Sequence, residues 1–209
     1  MEVYGEKPKI FSKDWYGYFW MYHKTHVFFV IFLLILIVPF IYQHLTTPEY
    51  DLSVMIAGNR VVSDEVSDAI KGEIEALISD TNGDGEKNVD IQKMTFGDSS
   101  DPEYLLAQNT KVMAEISAGD AFLYLFSYDK ANDFLNGEDA ELMFVPTVEY
   151  APEIPKERLM LSKGVPYAVK IEEGDLKGYC IMVRNLRADE VATEKQQNAK
   201  ITAGYLAER

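Results

Sequence analysis

AFLYLF, residues 121–126, decides the fold: six residues without a charge, an amide or a small hydroxyl, followed at once by Ser127. An unbroken apolar run of this length reads as a strand buried on both faces, the kind found in parallel sheets with a helix layer on each side. Just before it, Gly119 ends a helical pattern that Asp101, Pro102 and Glu103 begin, a cap followed by a first-turn proline and acid. In that helix Leu105, Leu106, Val112, Met113 and Ile116 are expected to face inward. Further upstream, Val89, Ile91 and Phe96 read as a half-buried strand. Ser63 caps an earlier helix whose stripe is Val66, Ile70, Ile74, Leu77 and Ile78, and residues 52–57 form a strand closing in Gly58-Asn59. The order βαβαβ predicts a three-layer α/β domain with a mostly parallel sheet.

Beyond the central strand the pattern predicts a short helix at 130–135 and strands at 142–145, 167–171 and 177–183. The Pro-, Glu- and Lys-rich stretch 150–163 reads as loop. Residues 193–209 read as a closing helix with Ala199, Ile201 and Leu206 packed on the sheet.

The other end of the chain has a different solvent in view. VFFVIFLLILIVPFIY, residues 27–42, lacks a charge, an amide or a hydroxyl other than that of Tyr42. With its flanks it predicts a single transmembrane helix over residues 26–45, because at about 1.5 Å per residue some 20 residues reach across the ~30 Å of a bilayer core. Pro39 introduces a local bend near one interface. Residues 1–25 form a cytoplasmic and interfacial aromatic segment, with Trp15, Tyr16, Tyr18, Phe19, Trp20 and Tyr22 as a belt. Lys7, Lys9, Lys13 and Lys24 precede the span, and the twenty residues after it contain only Arg60. The positive-inside rule then places the N-terminus in the cytoplasm and residues 46–209 outside, at the cell membrane. The competing reading, a cleaved signal peptide, suits neither the long polar lead nor QHLTTPEY, which offers no small-residue cleavage site.

The exported segment holds 16 of the 20 Lys and Arg and 31 of the 34 Asp and Glu, a formal net of −15. Such a surface disfavours nucleic acid and anionic membrane surfaces and is compatible with cationic ligands or metal ions. Cys180 is the only cysteine, so no intramolecular disulfide forms. His23, His26 and His44 all flank the span, so devices that need histidine inside the domain, the Ser-His-Asp triad, the Cys-His pair and the clustered His metal site, are excluded.

Asp80, Asn82, Asp84 and Gly85 match the first half of a D-x-[DN]-x-[DN]-G calcium loop. Alternate short oxygens suit a hard cation, with Glu86 through its carbonyl and Asn88 or Asp90 completing the shell. Ile91 occupies the place of the bidentate Glu of an EF-hand, which excludes that motif. The expected cofactor is a structural Ca2+. The competing reading is a polar Asp/Gly turn between helix and strand.

KVMAEISAGDAFLYLFS (111–127), SKGVPYAVKI (162–171) and EKQQNAKITAGYLAE (194–208) together resemble the extracellular solute-binding proteins of sugar-type ABC importers. The resemblance implies one periplasmic-binding-protein-like lobe with ligand groups at the carboxyl ends of the strands. Carried onto this chain, these are Asn59, Ser127, Tyr128, Asp129 and Tyr167. The overall layout is also similar to single-pass bacterial membrane proteins. The chain has room for one lobe, not two, and its exported part has no tryptophan on which a sugar could stack.

The expectation is a membrane-anchored, non-catalytic, solute-binding-like module recognising a ligand or an envelope protein partner. The alternative is a structural or assembly subunit of a membrane complex. A carboxylate-based hydrolase is a third reading for which no acid pair stands out.

Overall fold

A computed structural model describes residues 11–46, 49–96, 102–137, 139–186 and 194–208. The chain divides into two compact units, residues 1–48 and 49–209. In the first, α1 (Lys13–Thr46) is one continuous helix, so the aromatic belt and the span share a single rod. Its portion His23–Tyr42 is long and apolar enough to cross a membrane by length and composition. The belt stacks along the helix: Trp15 lies on Phe19 with ring centroids 5.0 Å apart, and Phe19 meets His23 at 5.0 Å. Lys7, Lys9 and Asp101 fall outside the described residues, as does the side chain of Leu105.

The second unit is a three-layer α/β domain. Its elements are β1 (Leu52–Gly58), α2 (Asp64–Leu77), β2 (Val89–Thr95), α3 (Pro102–Ala118), β3 (Leu123–Ser127), α4 (Tyr128–Leu135), α5 (Ala140–Met143), β4 (Leu159–Ser162), β5 (Val165–Lys170), β6 (Tyr179–Val183) and α6 (Glu194–Glu208). The sheet order is β2-β1-β3-β6-β5-β4. Side chains alternate cleanly between two cores, as period-2 strands require. Leu52, Val54, Ile56, Leu123, Leu125, Ile181 and Val183 meet α2 and α6 on one face. Met55, Ala57, Tyr124, Phe126, Cys180 and Met182 meet α3, α4 and α5 on the other.

The expected mostly parallel sheet is corrected here. β1 is parallel to β2 and β3, but β3–β6, β6–β5 and β5–β4 are antiparallel. β3 is buried at all five positions, so its apolar run reported burial on both faces and not strand direction. Direction follows from the connections: a parallel neighbour needs a crossover of about a dozen residues or more, and those between β4, β5 and β6 are too short. Lys163 and Gly164, both at positive φ (50° and 83°), turn β4 into β5. Such a pair forms a tight hairpin turn without the usual Asn-Gly signal.

Two further expectations fail locally. The first half of the strand expected at 142–145 belongs to the helical turn α5, and it is followed by a single bridge between Phe144 and Arg184. Ala-Glu-Leu-Met are good helix formers, and only Phe144 and Val145 extend to meet β6. The stretch 150–163, read as loop, contains edge strand β4, whose four residues are too few to stand out from their Pro- and Lys-rich surroundings. Among the expected inward residues, Leu106, Met113 and Ile201 are exposed, while Val112, Ile116, Ala199 and Leu206 are buried. α6 meets the sheet through Ala199, Ala203 and Ala207, small residues that let it lie close.

Candidate binding sites at the two ends of the sheet

The chain leaves β1 over one face through α2 and returns to β2. It then crosses the opposite face through α3 and enters β3 on the other side of β1. This reversal makes a topological switch point between β1 and β3, and in open α/β sheets ligands bind at such a point, outside the carboxyl ends of the strands. The segments that meet there are residues 58–60, which follow β1, and residues 127–129, where β3 runs directly into α4. Asn59 Nδ2 donates to Asp129 Oδ2 across the gap at 3.4 Å. Ser127 is 9 % exposed, its hydroxyl has no hydrogen-bond partner among the described residues, and it does not cap α4 although it occupies the N-cap position.

The other two candidates behave differently. Tyr128 is tied into the frame: its N–H donates to the Gly178 carbonyl at 3.1 Å and its hydroxyl to the Ile171 carbonyl at 2.8 Å. Burial, ahead of nearby negative groups, pushes its phenol above the ordinary value. Tyr167 stands at the other end of the sheet. Ser127 is level with Tyr179, whose carbonyl accepts from the Ile171 N–H, and Tyr167 lies four residues earlier, about 13 Å at 3.3 Å per residue. Tyr167 is buried, and its carbonyl accepts from the Tyr150 hydroxyl at 3.2 Å.

Arg60 and Tyr179 complete this edge and carry no sequence motif. Arg60 Nη2 donates to the carbonyls of Asp175 (2.7 Å) and Lys177 (3.3 Å), and its guanidinium lies 5.6 Å from the Tyr179 ring. The Tyr179 hydroxyl donates to the Arg60 carbonyl at 2.9 Å. A Cβ on Gly58 would come within 2.7 Å of the Tyr179 ring, so the glycine that closes β1 is required by this close approach. The signal available in the sequence was Gly58 itself, a residue that in a strand marks close packing.

At the amino end lies the loop with the calcium-like spacing. Asp80 Oδ1 accepts from the N–H groups of Asn82 (3.1 Å) and Gly83 (2.6 Å), and Oδ2 from that of Gly85 (3.0 Å). Asn82 Oδ1 accepts from the Asp84 N–H (2.9 Å), and Asp84 Oδ1 from the Glu86 N–H (2.8 Å). Gly83 and Gly85 supply the positive φ values the turn needs, 76° and 87°. Asp80, Asn82 and Asp84 thus share one turn, while Asp90 belongs to β2 and accepts from Gln92 Nε2 at 3.0 Å. Asn88 contributes backbone contacts, its N–H to Asp51 and its carbonyl to the Asp51 N–H. Asp80 Oδ1 is saturated by its two N–H donors, whereas Asp80 Oδ2 and both Asp84 oxygens accept one bond each and keep a lone pair that suits a hard cation. Among the described residues no three His, Cys, Asp or Glu side chains form a metal-holding group.

Asp51 holds this loop to the sheet. Its carboxylate, fully buried, accepts from Thr81 N–H (2.6 Å), Thr81 Oγ1 (2.9 Å) and Asn88 N–H (2.8 Å). Burial acts to raise its pKa, but these hydrogen bonds outweigh it and hold the carboxyl below its ordinary value. Asn198 of α6 donates to the carbonyls of Ser79 (2.8 Å) and Asp51 (3.4 Å) and accepts from the Ser79 N–H (3.0 Å).

Cys180 is fully buried with Sγ 3.0 Å from Met160 Sδ. Burial pushes its thiol up to about 12, with Lys170 opposing weakly, so it stays protonated and unreactive at neutral pH. A groove of 290 Å³ runs between α3 and the α4–α5 segment, lined by Met113, Phe134 and Met143 with Asn109 and Lys130. Comparisons with protein-family models, with curated proteins and with solved structures return no match.

Proposed function

We propose that this chain is a membrane-anchored recognition module without catalytic machinery. In this reading α1 crosses the bilayer with its N-terminus in the cytoplasm, and the α/β domain, outside the cell membrane, recognises a ligand or an envelope protein partner. The observation that carries it is the switch point between β1 and β3, where Asn59 faces Asp129 and the buried Ser127 hydroxyl has no partner among the described residues. A buried polar group without a hydrogen bond costs about 1–3 kcal/mol, and one at a strand's carboxyl end is matched when a bound group supplies the bond. The resemblance to one solute-binding lobe agrees with the order from β1 to β3 and with both helix layers.

The loop at residues 80–90 is proposed as a structural calcium clip, since it fastens α2 to β2 far from the switch point. The assembly-subunit alternative draws on the groove beside α3, lined by the exposed Met113, and on the exposed Leu106 of α3 and Leu142 of α5.

The test uses the full chain in detergent. Thermal unfolding is followed by near-UV circular dichroism of the tyrosines, with sugars, amino acids and short peptides added in turn. A stabilising ligand whose effect disappears in Asn59→Ala and Asp129→Ala supports the reading. A ligand that stabilises both variants as it does the wild type removes the switch point from the account.

A further inference from the structure

A second groove, of 340 Å³, opens between α2, the β5–β6 turn and α6. Its floor is apolar: Ile70, Ile171, Leu176 and Leu206, each less than a tenth exposed, present the margin of the core there. Its rim is acidic, with Glu73 from α2 and Glu173 and Asp175 from the turn. Glu173 and Asp175 are exposed and take part in no side-chain ion pair among the described residues. Arg60 directs its guanidinium at the backbone carbonyls of Asp175 and Lys177 and at the Tyr179 ring. Arg60 therefore holds the turn by its backbone, and among the described residues no cation pairs with the Glu173 or Asp175 carboxylate.

The geometry points to this groove as the receptor for an arginine side chain on a peptide segment of a partner protein. An arginine has an apolar stem and a planar charged fork. The stem matches the floor, and the fork matches paired carboxylates at the rim through charge-assisted hydrogen bonds. A bare apolar anchor would leave the rim unused, and an acidic segment would be repelled by a domain of net −15. The volume lies at the low end of the range for small-molecule pockets, about 300–1,000 Å³, enough for one anchoring side chain whose neighbours rest outside. The arrangement suits recognition of a cation.

This inference rests on the reading of the domain as a partner-recognition module and assigns that partner's chemistry at a place distinct from the switch point. The experiment measures fluorescence anisotropy of a labelled Leu-Arg-Leu peptide with the full chain in detergent, beside the same peptide carrying citrulline, the neutral isostere. Saturable binding is expected. Citrulline, the pair Glu173→Gln with Asp175→Asn, and Ala69→Trp, which fills the groove from the exposed face of α2, should each weaken it by about tenfold or more, the loss of a charge-assisted pair or of its pocket. Glu153→Gln with Glu157→Gln, which removes equal charge elsewhere, should bind as the wild type does. Equal binding of the citrulline peptide, or undiminished binding by both groove variants, would overturn the proposal. So would arginine amide binding as tightly as the peptide, which would make the occupant a small molecule. A ligand lost in Asp129→Ala but kept in the groove variants would leave the recognition reading standing and remove only this groove.

Discussion

The two ends of the sheet handle polar groups in opposite ways. At the amino end every oxygen of the Asp51 carboxylate is engaged, Asn198 bonds both the donor and the acceptor of Ser79, and the loop at residues 80–86 closes on itself through successive side-chain to backbone bonds. At the carboxyl end the contact between the segments after β1 and β3 is one long hydrogen bond on the surface, and Ser127 is buried unmatched among the described residues. Satisfied networks specify and rigidify, whereas unsatisfied groups persist where something other than stability keeps them. On the reading proposed above, one end serves stability and the other recognition, and each half of that proposal can be broken separately.

The largest effect is expected at Asp51. Asp51→Ala leaves two part-buried N–H groups and one hydroxyl, those of Thr81 and Asn88, without an acceptor, so a loss of roughly 3 kcal/mol is expected. Asp129→Ala, removing a surface contact, should stay within about 0.5 kcal/mol. Denaturant titration read by near-UV circular dichroism compares them. Both tryptophans lie in α1, so the tyrosines report on the domain. Equal losses at the two positions would remove the distinction between the ends. Asn198→Ala should come next, at about 2 kcal/mol, since it frees the Ser79 N–H and carbonyl at once.

Acid should act on the same end. The Asp51 pKa is lowered on folding, so its contribution is fully present above the unfolded value of about 3.8 and is lost as pH falls through the lower folded value. Stability measured from pH 6 down to about 2.5 should fall across that window, and Asp51→Asn should flatten the fall. A profile unchanged in the variant would place acid sensitivity elsewhere.

Which of these features the sequence made legible follows from the range of the interactions behind them. Local signals worked: Ser63 accepts from the Val66 N–H as a helix cap, and Ile70, Ile74 and Ile78 form the buried stripe their spacing predicts. The Asp-Asn-Asp-Gly turn was readable because each bond in it spans two to five residues. The latch that anchors that turn was not, since Asn198 and Asp51 are 147 positions apart and neither sits in a motif. Strand direction was invisible because hydropathy records burial and not polarity of the chain. Asn59 and Asp129 could be paired by the switch-point rule, but Tyr167 could not be separated from them without the register of β5 against β6.

Calcium offers a smaller, signed perturbation of the amino end. If the loop holds the ion in the folded state only, the gain is RT ln(1 + [Ca]/Kd), near 2.7 kcal/mol at about a hundredfold excess over Kd and far less where the affinity is weak. Unfolding curves with calcium and with chelator should differ slightly, and Asp80→Ala should abolish the difference. Superimposed curves would leave the turn as a self-closed connector.

The stability effect expected at Ser127 is small and opposite in sign to that at Asp51, and it discriminates most sharply between the ends. Thr202 also has a buried hydroxyl without a partner among the described residues, but it lies within α6 against the sheet, whereas Ser127 ends β3 at the switch point. Removing an unmatched buried hydroxyl relieves its desolvation cost, so Ser127→Ala should leave the domain as stable as before or stabilise it by up to about 1 kcal/mol. If that hydroxyl is held for a ligand, the same substitution should abolish the ligand's stabilising effect, so that stability and binding move in opposite directions. A purely architectural Ser127 would behave like Asp51, with its loss lowering the melting temperature and leaving binding alone. The sign of that one melting shift, read beside ligand response, therefore decides whether the carboxyl end trades stability for recognition or is packed as the amino end is.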